Sequence, residues 1–381
     1  MNLLALSFDQ ALVDRRAAAH KEALARQESY ASELLRRSPG SRIWITVRAT
    51  NRGQTMQQDL SVGALEIRAA PSSTAGFAYT AYSHGRSLFH RQGLDLVTTQ
   101  SPFVDACVAW LLRKKCGVRF LTQLHLSTLD DPYWLREGPA NRFRAQLGRW
   151  MLREADAVRV VSRAASTWVQ EQLKVPSDRV FLIPVGSALI DEAGLPPRRP
   201  YHNKTVLFVG RLSPEKGLTT LLRAFAGVAE RSARLLVAGD GPSRPALQAL
   251  AGSLRVQERV EFLGWVSQGD LANLYRNAGV VVVPSLHESF GRVIVEAMSL
   301  GTPVVATDTQ GARELIVDGL TGRVVPVNDV SALAQAIGDT LRNPERAFQM
   351  GLAARSHVRE MLDPQALCAA QVDMWLKVAA T

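Results

Sequence analysis

Gly279-Val280-Val281-Val282-Val283-Pro284-Ser285-Leu286-His287-Glu288-Ser289-Phe290-Gly291-Arg292-Val293-Ile294-Val295-Glu296 reads as a buried strand, a proline break, a short loop and a helix. An uninterrupted β-branched run with no polar face is what a strand covered on both sides of a parallel sheet requires. Pro284 ends the strand, and Gly291 lets backbone come close to a ligand just before the helix begins. The helix start offers unpaired N–H groups and the positive end of its dipole. Glu288 in the loop and Glu296 in the helix stand eight positions apart, so both can accept hydrogen bonds from one polyhydroxylated ligand. Together these features describe a site for an anion attached to a molecule rich in hydroxyls.

Upstream, Val206-Leu207-Phe208-Val209-Gly210-Arg211-Leu212-Ser213-Pro214-Glu215-Lys216-Gly217 repeats the pattern, a strand ending in glycine with a helix beginning near Gly217. Arg211 supplies a planar two-pronged fork and Lys216 a mobile point charge. The pair suits a diphosphate whose negative charge grows as its bond to a sugar breaks.

The rest of the chain gives a compatible background. With 381 residues it is too long for one small core and predicts two domains. A hydrophobic fraction of 46% and a charged fraction of 21% exclude a disordered chain. No apolar run approaches the roughly 18 residues of a membrane-spanning helix. Met1 to Phe8 lacks a basic flank and meets Asp9 at once, so it reads as a first strand and not a signal peptide; cytoplasmic residence is the default expectation. Cys107, Cys116 and Cys368 have no zinc or disulfide spacing, the seven histidines form no paired helical motif, and no Asp-x-Asp pair occurs. The expected chemistry therefore uses no metal and no cofactor.

Charge is unevenly placed. Residues 1–200 carry 27 Lys+Arg against 18 Asp+Glu, a net of +9, and residues 201–381 carry 18 against 17, a net of +1. The basic half suits an anionic membrane surface, a pyrophosphate-linked acceptor or nucleic acid, or is simply a solvated basic surface. Pro196-Pro197-Arg198-Arg199-Pro200 cannot continue a helix or central strand. It divides an N-terminal domain over 1–195 from a C-terminal domain over 201–363, with 364–381 as a terminal helix. Strands are predicted at Leu3 to Phe8, Arg42 to Arg48, Leu94 to Thr98, Arg119 to Leu124, Ala157 to Val161 and Val180 to Pro184. After the linker they fall at Thr205 to Gly210, Arg234 to Ala238, Val260 to Leu263, Val280 to Val283, Pro303 to Thr307 and Gly322 to Val325. Helical patterns separate them, which predicts parallel sheets covered on both faces.

These residues resemble the retaining family-four glycosyltransferases, glycosyl transferases group 1. The resemblance runs from about Thr205 to Val358 through Gly210-Arg211 with Lys216-Gly217, Ala238-Gly239-Asp240-Gly241-Pro242, Phe262-Leu263-Gly264-Trp265-Val266, the Glu288 to Glu296 element, Gly301 to Ala306, and Gly311 with Glu314. It implies the GT-B fold: two Rossmann-like, doubly wound parallel-sheet α/β domains facing across a cleft, with the terminal helix crossing back to the N-terminal domain. It also implies a hexose transferred with retention from a nucleoside-diphosphate donor to a glycan or lipid-linked acceptor, in surface polysaccharide or glycolipid assembly. By the same resemblance Arg211 and Lys216 hold the donor diphosphate, Glu288 a sugar hydroxyl, and Glu296 the ribose. Gly210 and the Phe290-Gly291-Arg292 backbone hold sugar and phosphate, and residues near Val266 flank the base. Trp265 either joins them or packs in the core.

The N-terminal match is thinner. His125 ends a strand where similar transferases place a histidine, and either contacts a sugar hydroxyl or the leaving phosphate or is a packed or partly exposed histidine. Asp130, Asp131, Tyr133 and Trp134 follow in a loop that either receives the acceptor or is ordinary loop structure; Ser162 and Arg163, at another strand end, occupy a further acceptor-side cleft position. The sequence departs from the family after the first strand, where Asp9 to Arg16 replaces a Gly-Gly loop, and at Val185-Gly186-Ser187-Ala188 in place of Asn-Gly-Val-Asp. Rival readings are a nucleotide-sugar hydrolase or epimerase of the same architecture and a basic nucleic-acid binder. A nicotinamide oxidoreductase is disfavoured because no strand opens into Gly-x-Gly-x-x-Gly. Nucleic acid is not an expected partner, since aromatic-basic interleaving is missing.

Overall fold

The computed structural model describes residues 1–13, 20–49, 60–125, 129–130, 132–136, 138–186 and 204–381. The chain divides into two compact units, residues 1–185 with 364–381, and residues 186–363. The Pro196–Pro200 linker lies outside the described residues, as do Asp131, Asp14–Arg16 and Ser187–Ala188.

The first unit is built on an eight-stranded sheet. Its strands are β1 (Asn2–Ser7), β2 (Arg42–Arg48), β3 (Leu60–Val62), β4 (Leu65–Ala70), β5 (Leu96–Thr99), β6 (Arg119–Leu124), β7 (Ala157–Val160) and β8 (Val180–Leu182), in the order β3-β4-β2-β1-β5-β6-β7-β8. Pairing is parallel except at the edge, where β3 runs antiparallel to β4. That edge is an addition to the expected parallel sheet: three residues separated from β4 by two form a hairpin that needs no crossover helix. Side chains alternate between two cores, as the period of a strand dictates. Leu4, Leu6, Trp44, Val97 and Phe120 pack with the helices Thr74–Gln92, Val104–Cys116 and Pro139–Glu154. Leu3, Ile43, Ile45, Leu96 and Leu121 pack with His20–Arg37 and the terminal helix Pro364–Ala380.

The second unit has a six-stranded, wholly parallel sheet: β9 (Thr205–Val209), β10 (Arg234–Ala238), β11 (Val260–Gly264), β12 (Val280–Val283), β13 (Val304–Thr307) and β14 (Arg323–Val325), ordered β11-β10-β9-β12-β13-β14. All four residues of β12 are fully buried or nearly so. Chain order reverses where β9 lies beside β12, so the two glycine-bearing loops read from sequence emerge next to one another at a topological switch point.

Candidate functional site

In the second unit β9 runs into Gly210-Arg211, then a single 3-10 turn, Pro214–Lys216, and the helix Leu218–Gly227. Gly217 between them has φ 67°, and a Cβ there would lie 1.9 Å from the carbonyl oxygen of Pro284. Only glycine lets the lysine-bearing turn press against the loop after β12. Leu286 N donates to the Glu215 carbonyl at 2.8 Å and ties the two loops together. Across this junction Lys216 Nζ donates to Glu288 Oε2 at 2.8 Å. Glu288 is held from other sides too: its Oε1 accepts from Gly291 N at 3.3 Å, and its carbonyl accepts from Gly311 N at 2.8 Å.

Gly291, at φ 85°, opens the helix Arg292–Ser299 with no side-chain cap, which leaves first-turn amides to a ligand or solvent. Glu296 points inward and is only 8% exposed. Its Oε2 accepts from the Tyr275 hydroxyl at 2.7 Å, and its Oε1 from the Arg292 guanidinium at 3.2 Å. Tyr275 is fully buried, and Thr302 Oγ1 donates to its carbonyl at 2.8 Å. Burial first, and then the neighbouring Glu296 carboxylate, hold the phenol in its protonated form with a pKa well above the ordinary value. Tyr275 therefore acts as a fixed donor that orients Glu296.

The remaining donor-side residues are placed as follows. Arg211 is exposed at the end of β9, Phe290 is half-buried, and the Arg292 side chain is largely exposed. Gly210 N donates to the Ala238 carbonyl. Trp265 is 79% exposed, which decides against core packing, and Val266 beside it is half-buried.

In the first unit His125 follows β6. Its Nε2 lies 3.0 Å from Gln123 Oε1. The same oxygen accepts from Arg159 NH1 at 3.1 Å, because Gln123 and Arg159 are register partners in β6 and β7. Burial, and then the charges of Arg159 and Arg26, push the His125 pKa down to about 4, so the imidazole is neutral near pH 7. Ser162 is buried and its hydroxyl caps the helix Arg163–Glu171, accepting from Ala165 N at 3.1 Å; Arg163 starts that helix and is exposed. Trp134 packs near Phe103, with ring centroids 6.3 Å apart, and Asp130 is exposed.

The structure thus brings Lys216 to Glu288 and Arg292 to Glu296. Among the described residues Arg211 stays exposed and bonds to neither pair, and the Ser162 hydroxyl caps a helix. Sequence reasoning missed Tyr275, Gln123 and Arg159. Arg159 left a signal, a charged residue inside the apolar run Ala157 to Val161; Tyr275 left none, since its partner lies 21 positions away.

The family model described as glycosyl transferases group 1 matches residues 196–357, and that described as glycosyl transferase 4-like domain matches residues 16–186. A D-inositol 3-phosphate glycosyltransferase of Corynebacterium urealyticum is 30% identical over 310 residues, 75% of this chain and 72% of that protein. An alpha-D-kanosaminyltransferase of Streptomyces kanamyceticus is 31% identical over 254 residues, 63% of this chain and 66% of its own length. Among solved structures, a sucrose-phosphate synthase from Thermosynechococcus elongatus superposes with a TM-score of 0.79 at 23% identity, covering 100% of this chain and 99% of that one. Anabaena HepE in complex with UDP-glucose gives 0.71 at 18% identity, covering 99% of each chain. At these identities the structural likeness establishes the fold.

Proposed function

Because the chain belongs to the glycosyl transferases group 1 family and has its two-sheet GT-B fold, we propose that this glycosyltransferase moves a hexose, with retention, from a nucleoside-diphosphate donor to a glycan or lipid-linked acceptor. The observation that best supports this reading is the Lys216–Glu288 pair at the β9/β12 switch point, beside an uncapped helix start. A bound diphosphate draws Lys216 towards itself and frees Glu288 to accept from a sugar hydroxyl. Glu296, oriented by Tyr275, accepts from the ribose.

As the anomeric bond lengthens, the sugar becomes oxocarbenium-like and the leaving oxygen gains charge. Arg211, Lys216 and the amides at Arg292 oppose that charge without a metal. Removing one such preorganised donor costs about 3–4 kcal/mol at the transition state, a hundred- to a thousand-fold in rate. Attack comes from the face of departure with the donor phosphate as base. Glu288, already bonded to Lys216 and Gly291, serves as a positioning and electrostatic group and not as a nucleophile. The test is turnover of a panel of UDP-, GDP- and ADP-hexoses with simple acceptors, the product anomer read by NMR, with and without chelator. A retained glycoside insensitive to chelator is expected. An inverted product, or hydrolysis alone, overturns the reading.

The proposed setting is surface polysaccharide or glycolipid assembly at the inner face of a membrane. Supporting it, the helix Pro139–Glu154 carries the exposed Arg142, Arg144 and Arg153 and exposes Phe143 by 71% and Trp150 by 42%. A basic helix with outward aromatic rings suits an anionic interface. Co-sedimentation with anionic vesicles should fall steeply with salt and weaken in Phe143→Glu; equal binding to zwitterionic vesicles removes this part of the reading.

A further inference from the structure

We propose that Arg159, acting through Gln123, fixes His125 in the tautomer protonated on Nε2, so that Nδ1 is the ring atom that accepts a hydrogen bond from a ligand hydroxyl. The functional half of this statement rests on the sugar-transfer reading above; the tautomer does not.

Arg159 is 8% exposed on β7. Its Nε donates to the Ile183 carbonyl at 3.1 Å and its NH2 to the Pro184 carbonyl at 3.0 Å, so both sides of the guanidinium are anchored to the backbone that follows β8. A guanidinium only donates. The amide atom of Gln123 that faces NH1 at 3.1 Å must therefore be the oxygen, and the amide nitrogen turns the other way, 3.5 Å from Thr98 Oγ1. The same oxygen lies 3.0 Å from His125 Nε2. An oxygen cannot donate, so Nε2 supplies the proton and the lone pair of the neutral ring resides on Nδ1.

That assignment separates two roles for His125 that sequence left open. A leaving phosphate needs a donor, which Nδ1 of the neutral ring is not. A sugar hydroxyl both donates and accepts, so it can donate to Nδ1. Burial first, and then the charges of Arg159 and Arg26, also oppose protonation of the ring; Arg26 is itself paired to Asp9 at 3.1 Å. Arg159 is thus a positioning residue for His125.

The test reads the tautomer first. Long-range 1H–15N spectra of the protein labelled at histidine, with His125 assigned by its loss in His125→Asn, should show a protonated Nε2 and a bare Nδ1 between pH 6 and 8 without any substrate. Arg159→Met frees the Gln123 amide to turn over and should give a mixture of tautomers. Gln123→Glu keeps an acceptor at both contacts and should retain the protonated Nε2, which guards against an Arg159 variant that does not fold. Protonated Nδ1 in the parent, or an unchanged single tautomer in a folded Arg159→Met, overturns the proposal.

Kinetics tests the hydroxyl contact. His125→Asn puts an oxygen near the place of Nδ1, whereas His125→Gln puts its polar end near Nε2. The Asn variant should retain turnover two- to tenfold above the Gln variant, about the worth of one hydrogen bond. Equal loss, or the reverse order, overturns the contact while leaving the tautomer standing. Absence of sugar turnover in the parent counts against the transferase reading itself, and the spectra still decide the tautomer.

Discussion

Asp105 and His125 pull the acid limb of the stability curve in opposite directions. Asp105 is fully buried, its carboxylate accepting from Ser101 N at 2.8 Å and from the Ser101 hydroxyl, and burial pushes its pKa up to about 7. The native state therefore holds a proton that the unfolded chain binds only below about pH 4, and the stability from this group is lost as pH rises from about 4 to 7. His125 is the reverse. The unfolded imidazole takes a proton below about pH 6.5 and the native one only near 4, so its contribution is lost as pH falls through that window. The two cancel between about pH 4.5 and 6.5. Asp105→Asn removes one arm, and its stability should fall towards acid relative to the parent by about 1.4 kcal/mol per pH unit. Guanidinium melts at three pH values in the window check this; parallel parent and variant curves contradict it. Neither group could be assigned this behaviour from sequence, because burial decides both shifts.

At the scale of elements, the donor-side loops depend on close backbone contact. Gly217→Ala meets the Pro284 carbonyl at 1.9 Å and requires a left-handed φ as well, so the variant should lose about 2 kcal/mol or more of stability and bind nucleoside diphosphate more weakly. Denaturant midpoints and calorimetric titration read the two effects. Tyr275→Phe should destabilise by about 1.5–3 kcal/mol, the worth of a hydrogen bond to a buried charge, and weaken nucleoside binding more than it slows the chemical step. An unchanged melting curve contradicts the orienting role of Tyr275.

Local signals made part of this legible. β12 and the helix Arg292–Ser299 announce themselves by a valine run, a proline and a glycine, and the strand Arg119–Leu124 falls on its predicted bounds. The hairpin of β3 and β4 and the helix Thr74–Gln92 were not read: the strands are short, and the helix carries Gly76 and Gly85 in its interior and weak apolar periodicity. The Gln123–Arg159 bond depends on the register of β6 with β7, and the Tyr275–Glu296 bond on packing across 21 positions. Such pairings are decided by tertiary structure and leave no local mark.

For the whole molecule, the first unit is closed by a helix from the far end of the sequence. Val372, Met374, Trp375 and Val378 of Pro364–Ala380 are buried in the core that holds Leu3, Ile43 and Leu121, and Trp375 meets Tyr30 edge-on at 5.5 Å. Burying four such side chains is worth about 1.5–3 kcal/mol each, comparable with the whole stability of a domain. Deleting 364–381 should therefore unfold the first unit, seen as loss of its calorimetric transition and rapid proteolysis within residues 1–185. Retention of a cooperative transition there contradicts this account of the helix.

The diphosphate clamp is tested by a thermal-shift titration of the parent and Lys216→Ala with UDP, GDP, ADP and NAD. At about 100 times its dissociation constant a ligand adds roughly 2.7 kcal/mol of stability. One nucleoside diphosphate should raise the parent's melting temperature, with the response shrinking in Lys216→Ala. Equal response in parent and variant, or a response to NAD alone, contradicts the clamp.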